Sequence, residues 1–376
     1  MAVYKLFPYK DTSLYSEYPT MNTGIDPISQ ISNLNFAVDS SPSVARTLIS
    51  FDSEEINSVI STKVTGNWDA NLRCYIATAQ GIVESSVLEV FPVYDSWNMG
   101  TGTYLDEPIT TDGASWNSPQ FGGGDAWNIG GSSLGYTSSY NPTYAPQGGG
   151  SWWFSSSDNT VSYPVTQSFD PRSDKDLNVS ITSMVADWYS GSRANNGVII
   201  KWENAAEFNT NKQVQPVMQY YSVDTNTIYP PELDIMWDDC VWNTGSSTIT
   251  ELYQPNAFID LADNPGVFYS QSINVFRVNA RPQYPARTWV TSSWYTENYA
   301  LPTASYYAIK DLDTDEYVID FDTTYTKLSC DSTGSFFKLY MNGLEPERYY
   351  KILIQTIING STVVFDNNYN FKVVNG

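Results

Sequence analysis

Along much of the chain, apolar and polar side chains alternate with a period of two. The runs are short and are separated by clusters of Gly, Pro, Asn, Asp and Ser, the pattern of half-buried strands joined by tight turns. Residues 45–51 (ARTLISF) form one such run, and 72–77, 87–94, 198–202 (VIIKW) and 232–237 form others. Two segments break the rhythm and predict short helices. Residues 53–60 open on Ser53, read as an N-cap, with Glu54 and Glu55 in the first turn. In 181–188 the apolar Ile181, Val185 and Trp188 fall at i, i+4 and i+7, and Gly191 supplies a stop. Asn195-Asn196-Gly197 then predicts a turn into the 198–202 strand.

A composition shift near 242–248 suggests a boundary, and 249–279 holds two short strand candidates that read as a bridge. From about 281 a second alternating region begins. Residues 305–310 and 316–320 flank a turn at 311–315. Residues 351–358 and 361–365 flank Asn359-Gly360, the strongest short hairpin signal in the chain. The expected organisation is a β-sandwich over 1–240, a bridging segment over 241–280 and a second sandwich over 281–376. Between 97 and 159 the chain turns Gly-, Ser- and Trp-rich, with Trp97, Trp116, Trp127, Trp152 and Trp153 spaced along it and glycine triplets at 122–124 and 148–150. Disordered segments are poor in large aromatics, so these read as ordered loops packed over one sandwich edge by their rings.

Composition sharpens the fold class to all-β. Aromatics make up 15% of the 376 residues and charged residues only 16%, a mixture poor in helix formers and rich in strand and turn formers. The net charge of −22 repels phosphate backbones, so no nucleic-acid partner is expected; it suits solubility in salty water or docking onto basic neighbours. There is no histidine, which weakens acid–base and metal readings, though glycosidases manage with carboxylates alone. Cys74, Cys240 and Cys330 are odd in number and have no metal-site spacing. Cys74 faces the same way as Leu72 and Ile76, which predicts a buried free thiol. No apolar run approaches membrane-spanning length. Residues 1–8 carry no basic stretch followed by an apolar one, so synthesis and folding in the cytosol are expected.

Candidate chemistry is sparse, and no catalytic set, cofactor or metal is expected. Asp311-Leu312-Asp313-Thr314-Asp315 has calcium-loop alternation but lacks the Gly at the sixth position, has Asp322 rather than Glu at the twelfth, and is flanked by strands; it reads as a hairpin turn. Asp106-Glu107 and Asp238-Asp239 read as solvated turns. The glycine triplets lack the Lys-Ser/Thr of a phosphate loop. The tryptophan loops offer more: Trp116, Trp127, Trp152 and Trp153 are candidate contacts for protein or for glycan, since exposed rings stack on sugar faces. In the plainer reading the rings fill the core or a protein interface.

Several segments of the first region resemble the DNRLRE family of extracellular β-sandwich domains. These are Lys10-Asp11-Thr12-Ser13-Leu14 with Asn22-Thr23-Gly24, the Arg-containing strand 45–52, the spaced Trp97 and Trp116, and the helix-and-strand run 177–188 followed by Gly191 and Asn196-Gly197. The likeness covers about residues 1–240 and implies a jelly-roll-like sandwich with short helices and long Gly/Trp-rich loops. In the last region, 344–350 (LEPERYY) resembles the tyrosine corner of immunoglobulin- and fibronectin-like sandwiches, with Tyr350 as the corner residue. Residues 227–231, 300–307 and 344–350 look like segments of virion structural proteins from contractile-tailed marine cyanophages. That resemblance implies a non-enzymatic particle component in multiple symmetric copies, located in the virion, with other virion proteins as partners at the neck, tail or baseplate and no membrane association. Free cysteines fit folding in a reducing cytosol. A glycan-binding host-recognition protein is the alternative, and a polysaccharide lyase or hydrolase comes last.

Overall fold

The computed structural model describes residues 2–35, 42–82, 86–121, 123–131, 134–137, 148–207, 216–245, 249–262, 264–284 and 298–376. Gly122 and residues 246–248, parts of a glycine triplet and of the expected boundary, lie outside them. The chain is all-β and divides into two compact units. One comprises Leu6–Thr62 and Asp69–Asp234, the other Ile235–Gly376 with Met1–Lys5 and Lys63–Trp68.

Through residue 237 the elements in order are β1 (Ala2–Leu6), β2 (Pro8–Tyr15), β3 (Ile28–Asn35), β4 (Pro42–Phe51), α1 (Ser53–Thr62), β5 (Trp68–Cys74), β6 (Ile76–Gln80), β7 (Ser86–Pro92), β8 (Gly130–Gly131), β9 (Tyr136–Thr137), β10 (Trp152–Trp153), β11 (Val165–Phe169), β12 (Leu177–Ser180), α2 (Thr182–Tyr189), β13 (Val198–Trp202), α3 (Asn204–Glu207), β14 (Val217–Tyr221) and β15 (Glu232–Trp237). The main sheet of the first unit runs β11-β7-β13-β4-β3-β14-β6, with β2 also paired to β4. The pairings are antiparallel, and β12 lies antiparallel to β5 in a second sheet. Central β13 is buried along its whole length between β4 and β7. That explains why apolar residues stand at consecutive positions, with Lys201 alone among them: a strand covered on both faces need not alternate.

Both expected helices form. The first is capped by Asp52 rather than Ser53, because the Asp52 carboxylate accepts the Glu54 N–H at 2.6 Å and its carbonyl accepts the Ile56 N–H at 3.1 Å. Asp and Ser cap about equally well, and the carboxylate adds its charge to the helix start. The second helix stops where expected, with Gly191 at φ +71°.

The remaining elements are β16 (Ala257–Ala262), β17 (Val267–Tyr269), β18 (Ile273–Pro282), β19 (Ser305–Asp311), β20 (Tyr317–Ile319), β21 (Ser329–Asp331), β22 (Gly334–Tyr340), a 3-10 turn at Met341–Gly343, β23 (Tyr349–Ile358) and β24 (Ser361–Val374). They form two sheets, β16-β18-β22-β21 and β17-β24-β23-β19-β20. In immunoglobulin lettering these are A-B-E-D and A′-G-F-C-C′, the sandwich order of that fold. Phe276, Tyr307, Phe337, Ile352 and Phe371 pack among others between the sheets. Residues 241–280, read from the sequence as a bridge, supply β16, β17 and most of β18, so the sandwich begins well before residue 281. Asn359-Gly360 makes the tight turn between β23 and β24, with φ of 51° and 78°, the positive pair that a type I′ hairpin requires. The Tyr350 hydroxyl donates to the Glu345 carbonyl at 3.0 Å, which is tyrosine-corner geometry.

Candidate functional site

The tryptophan loops are the most site-like part of the sequence, and they are tied down at many points. Lys10 Nζ donates to the Trp97 carbonyl at 2.6 Å and lies 4.3 Å from the ring centroid, while Trp97 Nε1 donates to the Asn196 carbonyl at 2.8 Å. Buried Asn22 uses both ends of its amide. Its Nδ2 donates to the carbonyls of Met99 (2.7 Å) and Ala114 (2.9 Å), and its Oδ1 accepts from the N–H groups of Gly24 (3.1 Å) and Gly102 (3.0 Å). Asp95 accepts from the Asn128 N–H at 2.8 Å and the Ser151 hydroxyl at 2.6 Å.

Three of the four candidate contact residues are interior. Trp116 is 0% exposed, Trp127 1% and Trp152 3%; for these three the plainer reading holds, the rings filling the interior, and contact with a partner or a sugar does not. Trp127 Nε1 donates to the Ser115 carbonyl at 3.0 Å. Trp116 and Trp152 close over a group of charged side chains that sequence reasoning missed. Arg46 on β4 binds Glu207 of α3 with two parallel bonds, Nε to Oε1 at 2.7 Å and Nη2 to Oε2 at 2.9 Å. Lys201 on β13 lies 2.9 Å from Glu89 Oε2 on β7 and 3.6 Å from Glu207 Oε2, and donates to the Trp202 carbonyl at 2.7 Å. The side chains of Arg46, Lys201 and Glu207 are fully buried. The Arg46 guanidinium stands 4.7 Å from the Trp116 ring and 5.5 Å from the Trp152 ring.

Two cations and two carboxylates thus neutralise one another under aromatic rings, an arrangement that strengthens each charge pair because water is excluded. Burial alone would raise the Glu207 carboxyl, but Arg46 and Lys201 together outweigh it and hold the group below its ordinary value. The ionised carboxylate ties α3 to β4 and β13. The glycine triplet belongs to the same device. Gly149 accepts a hydrogen bond from Arg46 Nη1, and at its φ of +79° a Cβ would lie 2.6 Å from that nitrogen and 2.7 Å from the Trp116 ring. Lys201 was the available sequence signal: a lone cation inside an apolar run needs a counter-charge.

Trp153 alone of the four is partly exposed. It stands edge-on to Tyr94 (5.0 Å) and Tyr136 (5.6 Å), which stack on each other, and the Arg193 guanidinium lies 4.1 Å from its ring. The sheet pairing of β9 with β10 sets Tyr136 opposite Trp153. Here the first unit presents a compact aromatic surface.

The acidic candidates resolve into turns and ion pairs. Asp106 accepts from the Thr103 hydroxyl and, at 2.8 Å, the Thr103 N–H, which lower its pKa. Asp238 accepts from the Cys240 N–H at 2.8 Å, and Asp239 lies 3.6 Å from Lys338. Asp311 ends β19 and takes two bonds from Arg348, at 2.6 and 2.7 Å, while its Oδ1 accepts the N–H groups of Asp313 and Thr314. Among the described residues no three His, Cys, Asp or Glu side chains cluster so as to hold a metal ion, and no helix is long and apolar enough to cross a membrane. Cys74, Cys240 and Cys330 are free, and burial pushes the Cys74 thiol well above its ordinary value.

No family model and no curated protein matches the chain. Among solved structures it is similar to a DUF4785 family protein from Legionella pneumophila at 7% identity and a TM-score of 0.18, with the match covering 100% of this chain and 62% of that one. The chain therefore spans under two thirds of that protein, and a likeness at this score carries no argument about fold or function.

Proposed function

We propose that this chain is a non-enzymatic structural protein of a tailed-phage particle, docking in several symmetric copies onto neck, tail or baseplate components. The starting point is the sequence resemblance to DNRLRE-type sandwiches and to cyanophage virion proteins. One observation supports it most: the segment richest in candidate contact residues is folded inward as a lid over buried charges. A loop built that way stiffens a module and leaves its charged groups out of reach of a substrate. The immunoglobulin-like unit adds a second rigid sandwich with aromatic and aliphatic side chains on its outside, suited to contact with neighbours.

The test is peptide mass spectrometry of density-banded particles, with the chain's density located in a whole-particle reconstruction. The expected result is a particle-associated protein in symmetric copies. Finding it only in infected-cell lysate, never in banded particles, would overturn the reading.

The cluster of Tyr94, Tyr136, Trp153 and Arg193 favours a second reading, host recognition through glycan binding. Specific binding on a glycan array that is lost in Trp153→Ala would support it; no binding by the wild-type chain would remove it.

A further inference from the structure

Register assigns the side chains of β23 to two faces. Tyr350, Ile352, Ile354 and Ile358 enter the core, so Tyr349, Lys351, Gln355 and Ile357 point to the other face, where Leu353 and its partner Ala308 are themselves covered. On the outer face of β24, Lys372 stands beside Tyr349 and Val364 beside Gln355. The parallel pairing of β17 then puts Val267 beside Lys372 and Tyr269 beside Val374. Val267 is 54% exposed, Tyr269 63%, Tyr349 49% and Val364 49%. These positions lie on three adjacent strands of one sheet: Val267, Tyr269 and Tyr349 group at one end, Val364 stands six residues along β23, and the Lys351–Asp366 pair lies between.

The charges on this face are compensated. Lys372 pairs with Glu347, Lys351 with Asp366 at 2.6 Å and Lys310 with Asp315 at 2.9 Å. Elsewhere acids dominate: the unit of Leu6–Thr62 and Asp69–Asp234 carries 8 Lys and Arg against 25 Asp and Glu. The opposite sheet of the sandwich is partly covered by its own unit. Tyr340 meets Tyr4 and Trp237, each at 5.6 Å between ring centroids, and Lys338 lies 3.6 Å from Asp239.

We propose that the outer face of the β17-β24-β23-β19-β20 sheet is where two copies of this chain meet about a twofold axis. Charge selects the occupant. A basic partner would find the carboxylates beside Lys310, Lys351 and Lys372 already paired and would be drawn to the acidic unit instead, while an acidic partner would find those three lysines taken. For two chains of net charge −22, this face lets them approach without opposing bare carboxylates. A neutral apolar patch is also self-complementary, as an isologous contact requires. The five strands hold three, fourteen, ten, seven and three residues; at about 4.8 Å between strands and about 3.4 Å per residue they span about 600 Å² in projection, at the lower end of stable interfaces, where about 800 Å² per partner is standard.

Sedimentation of the full chain across a concentration series, at low and high salt, tests this. The expected result is a monomer–dimer equilibrium that tightens with salt as the residual repulsion is screened. Tyr349→Glu and Val364→Glu should each raise the dissociation constant about tenfold or more without changing the melting temperature, and Phe258→Glu on the other sheet should leave it unchanged. A monomer at every concentration, or a dimer indifferent to both substitutions, would overturn the inference. Neither result bears on whether the chain is found in banded particles, so the two readings fail separately.

Discussion

Replacing Glu207 by Gln tests the buried charge group most directly. The substitution keeps the side chain's size and removes one negative charge from a site where it accepts two bonds from Arg46 and lies 3.6 Å from Lys201. Arg46 then loses its carboxylate acceptor and Lys201 keeps only Glu89, whose side chain is already 16% exposed. Breaking a buried pair by removing one partner costs about 3–5 kcal/mol, and Glu207→Gln should lose about that much. Replacing both partners, in Arg46→Met with Glu207→Leu, should cost less than the single change, because no unpaired charge remains. Urea unfolding followed by tryptophan fluorescence suits the measurement, since the Trp116 and Trp152 rings flank Arg46. The pH dependence supplies a second check. Glu207 is held below its ordinary value, so its stabilisation is complete above that value and is lost as pH falls through the depressed one. The wild type should show this acid limb, and Glu207→Gln should not. A loss below about 1 kcal/mol, the size of a surface pair, would mean that the site is hydrated and that the rings do not seal it.

Burial pushes the Asp11 carboxyl up to about 8, with Asp224 and Asp26 adding to the rise against a hydrogen bond from the Val223 N–H. Its folded value lies above its unfolded one, so stability is full in acid and falls as pH rises toward 8, by up to about 1.4 kcal/mol per pH unit; Asp11→Asn should flatten that slope in melting curves from pH 5 to 8. Gly149→Ala should cost about 2 kcal/mol or more, since the added methyl meets both Arg46 and Trp116 at a positive φ, read as a lower urea midpoint. Tyr350→Phe removes the bond to Glu345 and should cost about 1 kcal/mol, seen in calorimetry as a lower melting temperature.

Local signals carried most of the strand and hairpin reading. The run 198–202 was legible because a strand covered on both faces carries apolar residues at consecutive positions, Lys201 being the exception, and Asn359-Gly360 because few residue pairs accept two positive φ values. Residues 257–269 were harder. The strand Val267–Tyr269 has only three residues, too few for alternation to show, and its place comes from a parallel pairing with Lys372, Val373 and Val374 about a hundred residues on. The tryptophans left two readings open for the same reason on a larger scale. A ring's chemistry is written in its own residue, but which side of the surface it occupies depends on what it covers. Trp116 covers an arginine seventy positions earlier, and that arginine is neutralised by a glutamate in α3, 161 positions after it.

One cation in an apolar strand therefore forces the rest of the arrangement. Lys201 sits at the centre of the main sheet, where β4 and β7 flank its strand. Glu89, directly opposite on β7, pairs with it, and the helical turn that follows β13 delivers a second carboxylate, Glu207, which is long enough to hold Arg46 as well. Four charges at a sheet surface remain strong only if water is kept away, and small side chains cannot exclude it over that width. Large rings can, provided the backbone carrying one ring passes close enough to lie flat, and at Gly149 that approach leaves no room for a Cβ. The placement of Trp116, Trp152 and Gly149 then follows from burying charge in the sheet beneath them, while at Trp153 the rings reach the surface.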